Sequence, residues 1–177
     1  FAKGKELYTV YFGGGTPSLL RGEELNLIME AIHQVFSVSY LEEITLEANP
    51  GTLNYEKLIA INEAGINRLS IGLQSTDNNE LQMLGRIHTY EEFLEQYELA
   101  RECGFRNINI DVISGLPGQK VENYEKTLQK VCSLNPEHIS SYSLIVEEGT
   151  PLYEKRELLN TLPSEEIDRF MYERTKE

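Results

Sequence analysis

"EAGINRLSIG" at residues 63–72 and "ECGFRNINID" at residues 102–111 repeat one pattern at an interval of 39 residues. Each segment has the features of a helix end, a glycine that closes it, a short link and a strand of branched apolar residues. Repeated units of this length predict parallel strands, because each return to the same edge of a sheet requires a helical crossover. The repeat therefore predicts an α/β protein.

The same alternation of strand and helix extends along most of the chain. The strand-like runs are YTVYF (8–12), EITLEA (43–48), RLSIGL (68–73), NINIDVI (107–113) and HISSYSLI (138–145). Helical periodicity fills the intervals, with Asn54 expected to cap one helix and Gly65 and Gly104 expected to close two others. Five strands without a clear reversal predict a partial parallel (β/α) barrel, similar to a TIM barrel, with a flat doubly wound sheet as the alternative.

Composition restricts the class of protein and its partners. The chain has 177 residues, of which 40% are hydrophobic and 25% are charged, as in soluble globular proteins. No apolar run reaches about 18 residues, so we expect no membrane span. A net charge of −13 argues against nucleic acid as a default partner. The two isolated cysteines, Cys103 and Cys132, indicate a reducing, cytoplasmic compartment, and we expect them to be buried thiols rather than metal ligands.

Polar residues occur where the predicted strands end, which is where ligands bind in parallel α/β proteins. Glu47, Gln74 and Asp111 lie in otherwise apolar strands, and the glycine-rich loop Gly13–Thr16 follows the first strand. Bonds to loop backbone would satisfy any one of these side chains. Three of them beside a glycine-rich loop favour a polar ligand.

The glycine-rich loop matches neither a Walker P-loop nor the dinucleotide-binding spacing of glycines. Its bare backbone and the Thr16 hydroxyl suit the charged groups of an amino acid. Arg86, beyond the third strand, is either a carboxylate ligand or a surface residue, and the nearby His88 is interpreted as part of the loop structure. No lysine ends a strand, which disfavours Schiff-base chemistry.

Six motifs occur in order over roughly residues 8–155. They are "GGGTPS", "LEANPG", "GINRLSIGLQS", "LGRIHT", "NIDVISGLPGQ" and "LNPEHISSYSLIVEEGTPLY". Together they resemble the oxygen-independent coproporphyrinogen III oxidase-like family of radical S-adenosylmethionine proteins. The resemblance implies a partial barrel of six strands that carries S-adenosylmethionine bound to a 4Fe–4S cluster.

The cofactor-binding residues that the resemblance implies are Gly14, Gly15, Thr16, Glu47, Gln74, Arg86, Asp111 and Ile145. In this family pattern the glycine loop, Thr16 and Glu47 would hold the amino-acid end of S-adenosylmethionine, and Arg86 would pair with its carboxylate. Gln74 and Asp111 would bind the ribose hydroxyls. Ile145, on the last strand, would pack against adenine.

The family has two branches that differ in function. One contains oxidases that decarboxylate the propionates of coproporphyrinogen III to vinyl groups, and the other contains heme-binding chaperones without that activity. "EANPGT", "LGRIHT" and "GLPGQ" are similar to the chaperone branch. The resemblance therefore implies heme or another tetrapyrrole as a ligand and heme-accepting proteins as partners, with the oxidase as the alternative.

The sequence departs from the family pattern at the iron–sulfur cluster. The family binds its cluster through C-x-x-x-C-x-x-C, and this motif does not occur here. We therefore expect residues 1–150 to be a radical S-adenosylmethionine core of strands two to six without the first strand. Residues 151–177 would begin a C-terminal extension, with a helix capped by Ser164. In the intact protein the cluster would reduce the cofactor to a 5′-deoxyadenosyl radical, whereas this chain alone would be inactive.

Overall fold

The computed structural model describes residues 3–176 and contains one five-stranded sheet. The strands are β1 Thr9–Phe12, β2 Glu43–Ala48, β3 Arg68–Gln74, β4 Asn107–Ser114 and β5 His138–Ser143. Their spatial order follows their order in the sequence, and β2 pairs in parallel with both β1 and β3. A doubly wound sheet would reverse its strand order at a switch point, so that alternative is wrong.

Helices connect the strands, and three more helices follow the last strand. The helices are α1 Gly22–Val35, α2 Tyr55–Glu63, α3 Asn78–Met83, α4 Tyr90–Glu102, α5 Val121–Ser133, α6 Pro151–Glu154, α7 Arg156–Leu159 and α8 Glu165–Arg174. The predicted cap of α2 is confirmed, because the Asn54 side chain accepts a bond from the Lys57 amide at 2.8 Å. Ser164 caps α8 in the same way. Within residues 3–176, no helix combines the length and apolar character that crossing a membrane requires.

The chain forms two compact units, and the strands β3 and β4 each contribute residues to both units. The first unit contains the described residues up to Gly72 together with Glu91–Asn109. The second contains Leu73–Tyr90 and the described residues from Ile110 onward. Each unit has its own buried side chains and its own set of strand ends.

The first unit buries apolar side chains of β2 and β3 together with apolar side chains of α1, α2 and α4. Its fully buried side chains include Leu25, Leu46, Leu58, Ile61, Leu69, Ile71, Phe93 and Phe105. A Cβ atom at Gly22 would lie 2.8 Å from the Cβ atom of Ala60, so glycine allows α1 to approach α2 closely. Gly65 and Gly104 have φ values of 86° and 94°, which confirms that they close the helices before β3 and β4.

The second unit packs α5 and α8 against its strands. Its buried apolar side chains include Leu73, Leu81, Ile110, Val112, Leu116, Tyr124, Val131 and Met171. The Tyr124 hydroxyl makes hydrogen bonds to Ser141 at 2.5 Å and to Thr175 at 2.8 Å. An ion pair between Arg174 and Glu125, at 2.5 Å, joins α8 to α5.

Two expectations from the sequence are wrong in detail. The last strand ends at Ser143 rather than at Ile145, because β4 ends at Ser114 and the Leu144 amide makes its bond to the Ser114 carbonyl at 2.8 Å. Beyond that bond β5 has no further length of β4 to pair with. The expectation of buried thiols is wrong for both cysteines, because Cys132 is exposed and Cys103 is only partly buried.

Candidate functional site

The glycine loop after β1 follows a path that requires its glycines. A Cβ atom at Gly13 would lie 2.7 Å from the Tyr11 ring and 3.2 Å from a carboxylate oxygen of Glu47. Gly14 and Gly15 have φ values of 84° and 63°, a left-handed conformation that other residues adopt at a cost. The backbone at Gly13 therefore lies close to Tyr11 and Glu47, and only glycine fits there.

Glu47, at the end of β2, is held by the first unit on both of its oxygens. The Gly14 amide donates to Oε2 at 3.0 Å, and the Tyr11 hydroxyl donates to Oε1 at 2.9 Å. Hydrogen bonds to an ionised carboxylate are stronger than neutral ones, so they fix the direction of this side chain. The carboxylate remains partly exposed beside an exposed loop, where a cationic group of a ligand can reach it.

Side chains after β2 hold the far end of the glycine loop. The Asn49 amide donates to the Thr16 hydroxyl at 3.3 Å, and Ser18 and Thr52 share a hydrogen bond of 2.6 Å between their hydroxyls. Thr52 also donates to the Asn49 carbonyl at 2.6 Å. These bonds connect the Thr16 hydroxyl to the same strand end that carries Glu47.

In the second unit, Gln74 ends β3 in an unusual conformation. Its φ of 76° lies in the left-handed region, which is uncommon for residues other than glycine, and its side chain is 3% exposed. The Tyr142 hydroxyl donates to its Oε1 at 3.4 Å. Strained backbone of this kind is concentrated at functional sites, so Gln74 is the strongest single indication of a ligand site in this unit.

Arg86 lies in the loop after α3, within electrostatic reach of Asp111 and Tyr142. Burial lowers the pKa of the Arg86 guanidinium below its ordinary value, and electrostatic interactions with Tyr142 and Asp111 act in the opposite direction. The second unit thus brings together Gln74, Arg86 and Asp111, three of the residues singled out from the sequence.

His88 and Ile145 have different surroundings. The His88 ring is buried, and its Nε2 lies 3.4 Å from the Leu73 carbonyl, where a ring N–H donates, so the interpretation of His88 as loop structure agrees with its position. Ile145 is 81% exposed, two residues beyond the end of β5. Its side chain is available to an apolar ligand surface.

Sequence reasoning missed three residues of these strand ends. Tyr11 donates to Glu47, and Asn49 donates to Thr16. Tyr142 donates to Gln74 and lies within electrostatic reach of Arg86. Tyr11 and Tyr142 look like ordinary strand residues, because tyrosine is common in strands. Asn49 directly follows the strand that carries Glu47, and this position at a strand end could have identified it as a site residue.

A 4Fe–4S cluster does not fit the cysteines that the structure describes. Cys103 and Cys132 belong to different units, and within residues 3–176 no group of His, Cys, Asp or Glu side chains could hold a metal ion. Such clusters need three or four thiolates that converge. S-adenosylmethionine fits better, since its ammonium, carboxylate and ribose hydroxyls match the carboxylates, guanidinium and amide at these strand ends.

The fold defines a class of protein: a parallel β/α protein with polar side chains where its strands end. Residues 1–131 match the Radical SAM superfamily, and the chain belongs to this family. S-adenosylmethionine and a 4Fe–4S cluster are the cofactors that this membership implies.

Several relatives of the chain are named as heme chaperones. The chain is 42% identical to "Heme chaperone HemW" of Bacillus subtilis over 95% of its length, and 39% identical to the Escherichia coli protein of the same name over 85%. It covers 45% and 40% of those relatives, which is less than half of their length. The resemblance stated from the six motifs is thereby confirmed.

A solved structure confirms the fold class. Coproporphyrinogen III oxidase (HemN) from Escherichia coli, described as a radical SAM enzyme, superposes with a TM-score of 0.82 at 27% identity. The superposition covers 96% of this chain and 39% of that protein. The predicted partial parallel barrel of the radical S-adenosylmethionine type is therefore correct.

Proposed function

We propose that the first unit binds the amino-acid end of S-adenosylmethionine. The bonding of Glu47 to the Gly14 amide and the Tyr11 hydroxyl supports this proposal more than any other observation. In this arrangement Glu47 accepts a bond from the ligand ammonium, and Gly15 and Thr16 offer backbone and hydroxyl groups to the rest of that end. The negative charge of Glu47 provides most of the selectivity for a cation.

We propose that the second unit binds S-adenosylmethionine through its ribose hydroxyls, its adenine and its carboxylate. Gln74 and Asp111 contact the ribose hydroxyls. The amide oxygen of Gln74 and the carboxylate of Asp111 can each accept a hydrogen bond from a hydroxyl. Arg86 pairs with the ligand carboxylate, and Ile145 packs against adenine. When bound with a reduced cluster, S-adenosylmethionine supplies radical chemistry, while these residues bind it and orient it.

We further propose that the protein handles heme as a chaperone and passes it to heme-accepting proteins. The identity of 42% to a protein named as a heme chaperone supports this branch. The alternative is an oxygen-independent coproporphyrinogen III oxidase, which the superposition on HemN favours. A reducing, cytoplasmic compartment agrees with the two free cysteines.

Titration of the purified chain with S-adenosylmethionine in a calorimeter tests the cofactor proposal. We expect saturable binding that Glu47→Gln weakens about tenfold, because a charge-assisted hydrogen bond is lost. Glu43→Gln is the matched control: it lies on the same strand, where its carboxylate contacts Thr45 at 3.0 Å and Arg68 at 3.8 Å. Equal affinities for the wild type and Glu47→Gln, or no binding at all, would contradict the proposal.

The heme proposal needs the complete protein, reconstituted anaerobically with iron and sulfide. We expect heme to bind, as measured by the change in its absorbance spectrum, and we expect no conversion of coproporphyrinogen III to vinyl products. Decarboxylation would favour the oxidase alternative over the chaperone.

A further inference from the structure

Glu80, on α3, is a buried acid that the proposed cofactor site does not use. Its side chain is 7% exposed, and a single carboxylate oxygen, Oε2, accepts two hydrogen bonds. The donors are the Ser75 hydroxyl at 2.5 Å and the Gln119 amide nitrogen at 3.0 Å. Both donors are neutral, so no opposite charge compensates the acid in this pair of bonds.

The two donors lie on different loops. Ser75 directly follows β3, and its hydroxyl also accepts a bond from the Asp77 amide at 3.0 Å. Gln119 ends the segment Gly115–Gln119 after β4, and its Oε1 accepts a bond from the Leu116 amide at 3.4 Å. Glu80 therefore connects the loop after the strand of Gln74 to the loop after the strand of Asp111.

A second pair of buried hydroxyls holds the same loop. Thr76 and Thr127 share a hydrogen bond of 3.1 Å between their hydroxyls, and the Thr76 amide donates a hydrogen bond to the Thr127 hydroxyl oxygen at 3.4 Å. Ser75, Thr76 and Thr127 are all less than a tenth exposed. The loop after β3 is thus attached to α5 as well as to the loop after β4.

The residue that this network adjoins is Gln74, which has a φ of 76°. A left-handed conformation at a residue other than glycine persists only where its surroundings impose it. Ser75 and Thr76 directly follow Gln74 in the chain, so their hydrogen bonds can hold Gln74 in its left-handed conformation.

Burial also destabilises the charged form of the Glu80 carboxyl. Desolvation raises the pKa of the Glu80 carboxyl above its ordinary value, the bonds from Ser75 and Gln119 act in the opposite direction, and the charge of Asp77 adds to the rise. An apolar side chain on α3 would avoid that cost. What such a side chain would lack is an acceptor for two buried donors.

We propose that Glu80 is a positioning residue for the S-adenosylmethionine site, acting through Ser75 and Gln119 on Gln74 and on the loop after β4. This inference rests on the proposed cofactor function. The required property is the acceptor oxygen, since both bonds go to Oε2 and neither needs the charge.

The test compares Glu80→Ala with Glu80→Gln in the same chain. Glu80→Ala removes the acceptor, and we expect affinity for S-adenosylmethionine to fall about tenfold because the positioning of Gln74 is lost. Glu80→Gln keeps one carbonyl oxygen for both donors, and we expect its affinity to stay within about twofold of the wild type. The Gln74 amide signals in a ¹H–¹⁵N spectrum should move in Glu80→Ala and stay in place in Glu80→Gln.

Tyr124→Phe is the control for a general loss of stability. It removes two hydrogen bonds of a buried side chain in the same unit, neither of which involves a residue of the loop after β3. We expect Tyr124→Phe to leave the affinity for S-adenosylmethionine and the Gln74 signals unchanged. Should Glu80→Ala fail to fold, Ser75→Ala removes one donor of the same network, and we expect it to change affinity in the same direction.

Three results would overturn the inference: wild-type affinity in Glu80→Ala, a loss in Glu80→Gln equal to that in Glu80→Ala, or an equal loss in Tyr124→Phe. A wild-type chain that binds no S-adenosylmethionine would contradict the proposed function instead. In that case the Gln74 signals still decide whether Glu80 positions Gln74.

Discussion

Two carboxylates near the strand ends, Glu47 in the first unit and Glu80 in the second, are bonded in opposite ways. Glu47 is partly exposed, and each of its oxygens accepts one hydrogen bond, from Gly14 or from Tyr11. Glu80 is buried, and one of its oxygens accepts both of its bonds. The Glu47 carboxylate therefore remains accessible to solvent, whereas the Glu80 carboxylate connects two loops.

We therefore expect Glu47 to contribute to ligand affinity and Glu80 to contribute to the stability of the fold. An exposed acid held in a fixed direction contributes little to stability but contributes directly to the affinity for a cation. A buried acceptor for two donors contributes to stability, and it affects a ligand only through the residues that it positions. Substitutions at the two sites should therefore change different measured quantities.

The largest expected effect is on stability. Glu80→Ala should lower the free energy of unfolding by about 2–4 kcal/mol, because two buried donors lose their acceptor and a cavity remains. Glu47→Ala should lower it by less than about 1 kcal/mol, because its donors are accessible to water. Urea unfolding followed by circular dichroism measures both values, and similar losses would remove the distinction between the two acids.

The next largest effect is on the glycine loop. Gly14→Val places a branched side chain at a φ of 84°, which costs about 1–2 kcal/mol and moves the amide that bonds Glu47, so affinity for S-adenosylmethionine should fall about tenfold. Gly4→Val is the control, because Gly4 has a φ of 78° and open space around it in the same unit. An equal loss of affinity in Gly4→Val would show that general strain, rather than the loop, is responsible.

A smaller effect is expected on the pH dependence of stability. Because the folded pKa of Glu80 is raised, its contribution to stability is fully present below its ordinary value of 4.5 and is lost as the pH rises through the raised value. The wild type should therefore lose stability relative to Glu80→Gln as the pH increases from 4.5. Unfolding curves of both proteins across that range measure the difference, and a difference independent of pH would contradict the raised pKa.

The smallest effect is expected at Tyr142. Tyr142→Phe removes a long hydrogen bond, 3.4 Å, to Gln74, so affinity for S-adenosylmethionine should fall only about twofold. Tyr153→Phe, near Arg156 in the same unit, should leave the affinity unchanged. A large loss in Tyr142→Phe would indicate that the phenol contacts the ligand directly.

The sequence predicted the sheet well because its signals are local and repeated. The bounds of β2 are the predicted ones, and β3 and β4 each extend one residue beyond their predictions. α3 was missed because six residues are too few for a helical period to stand out. α6 and α7, of four residues each, were missed for the same reason.

The candidate site was only partly predictable. Glu47, Gln74 and Asp111 are visible in the sequence because they are polar residues in apolar strands. The Glu80 network was not visible, because Ser75, Glu80 and Gln119 are common surface residue types and only the fold shows that they are buried together. The end of β5 depends on where β4 stops, which is a property of the neighbouring strand.

The most direct test of the central claim is a ¹H–¹⁵N titration of the chain with S-adenosylmethionine. We expect the amides of Gly14 and Gly15, and those of Gln74 and Asp111, to shift as S-adenosylmethionine is added, each group with a saturable curve. No shift in either group, or shifts only elsewhere, such as around Glu125 and Cys132, would contradict the claim that S-adenosylmethionine binds at these strand ends.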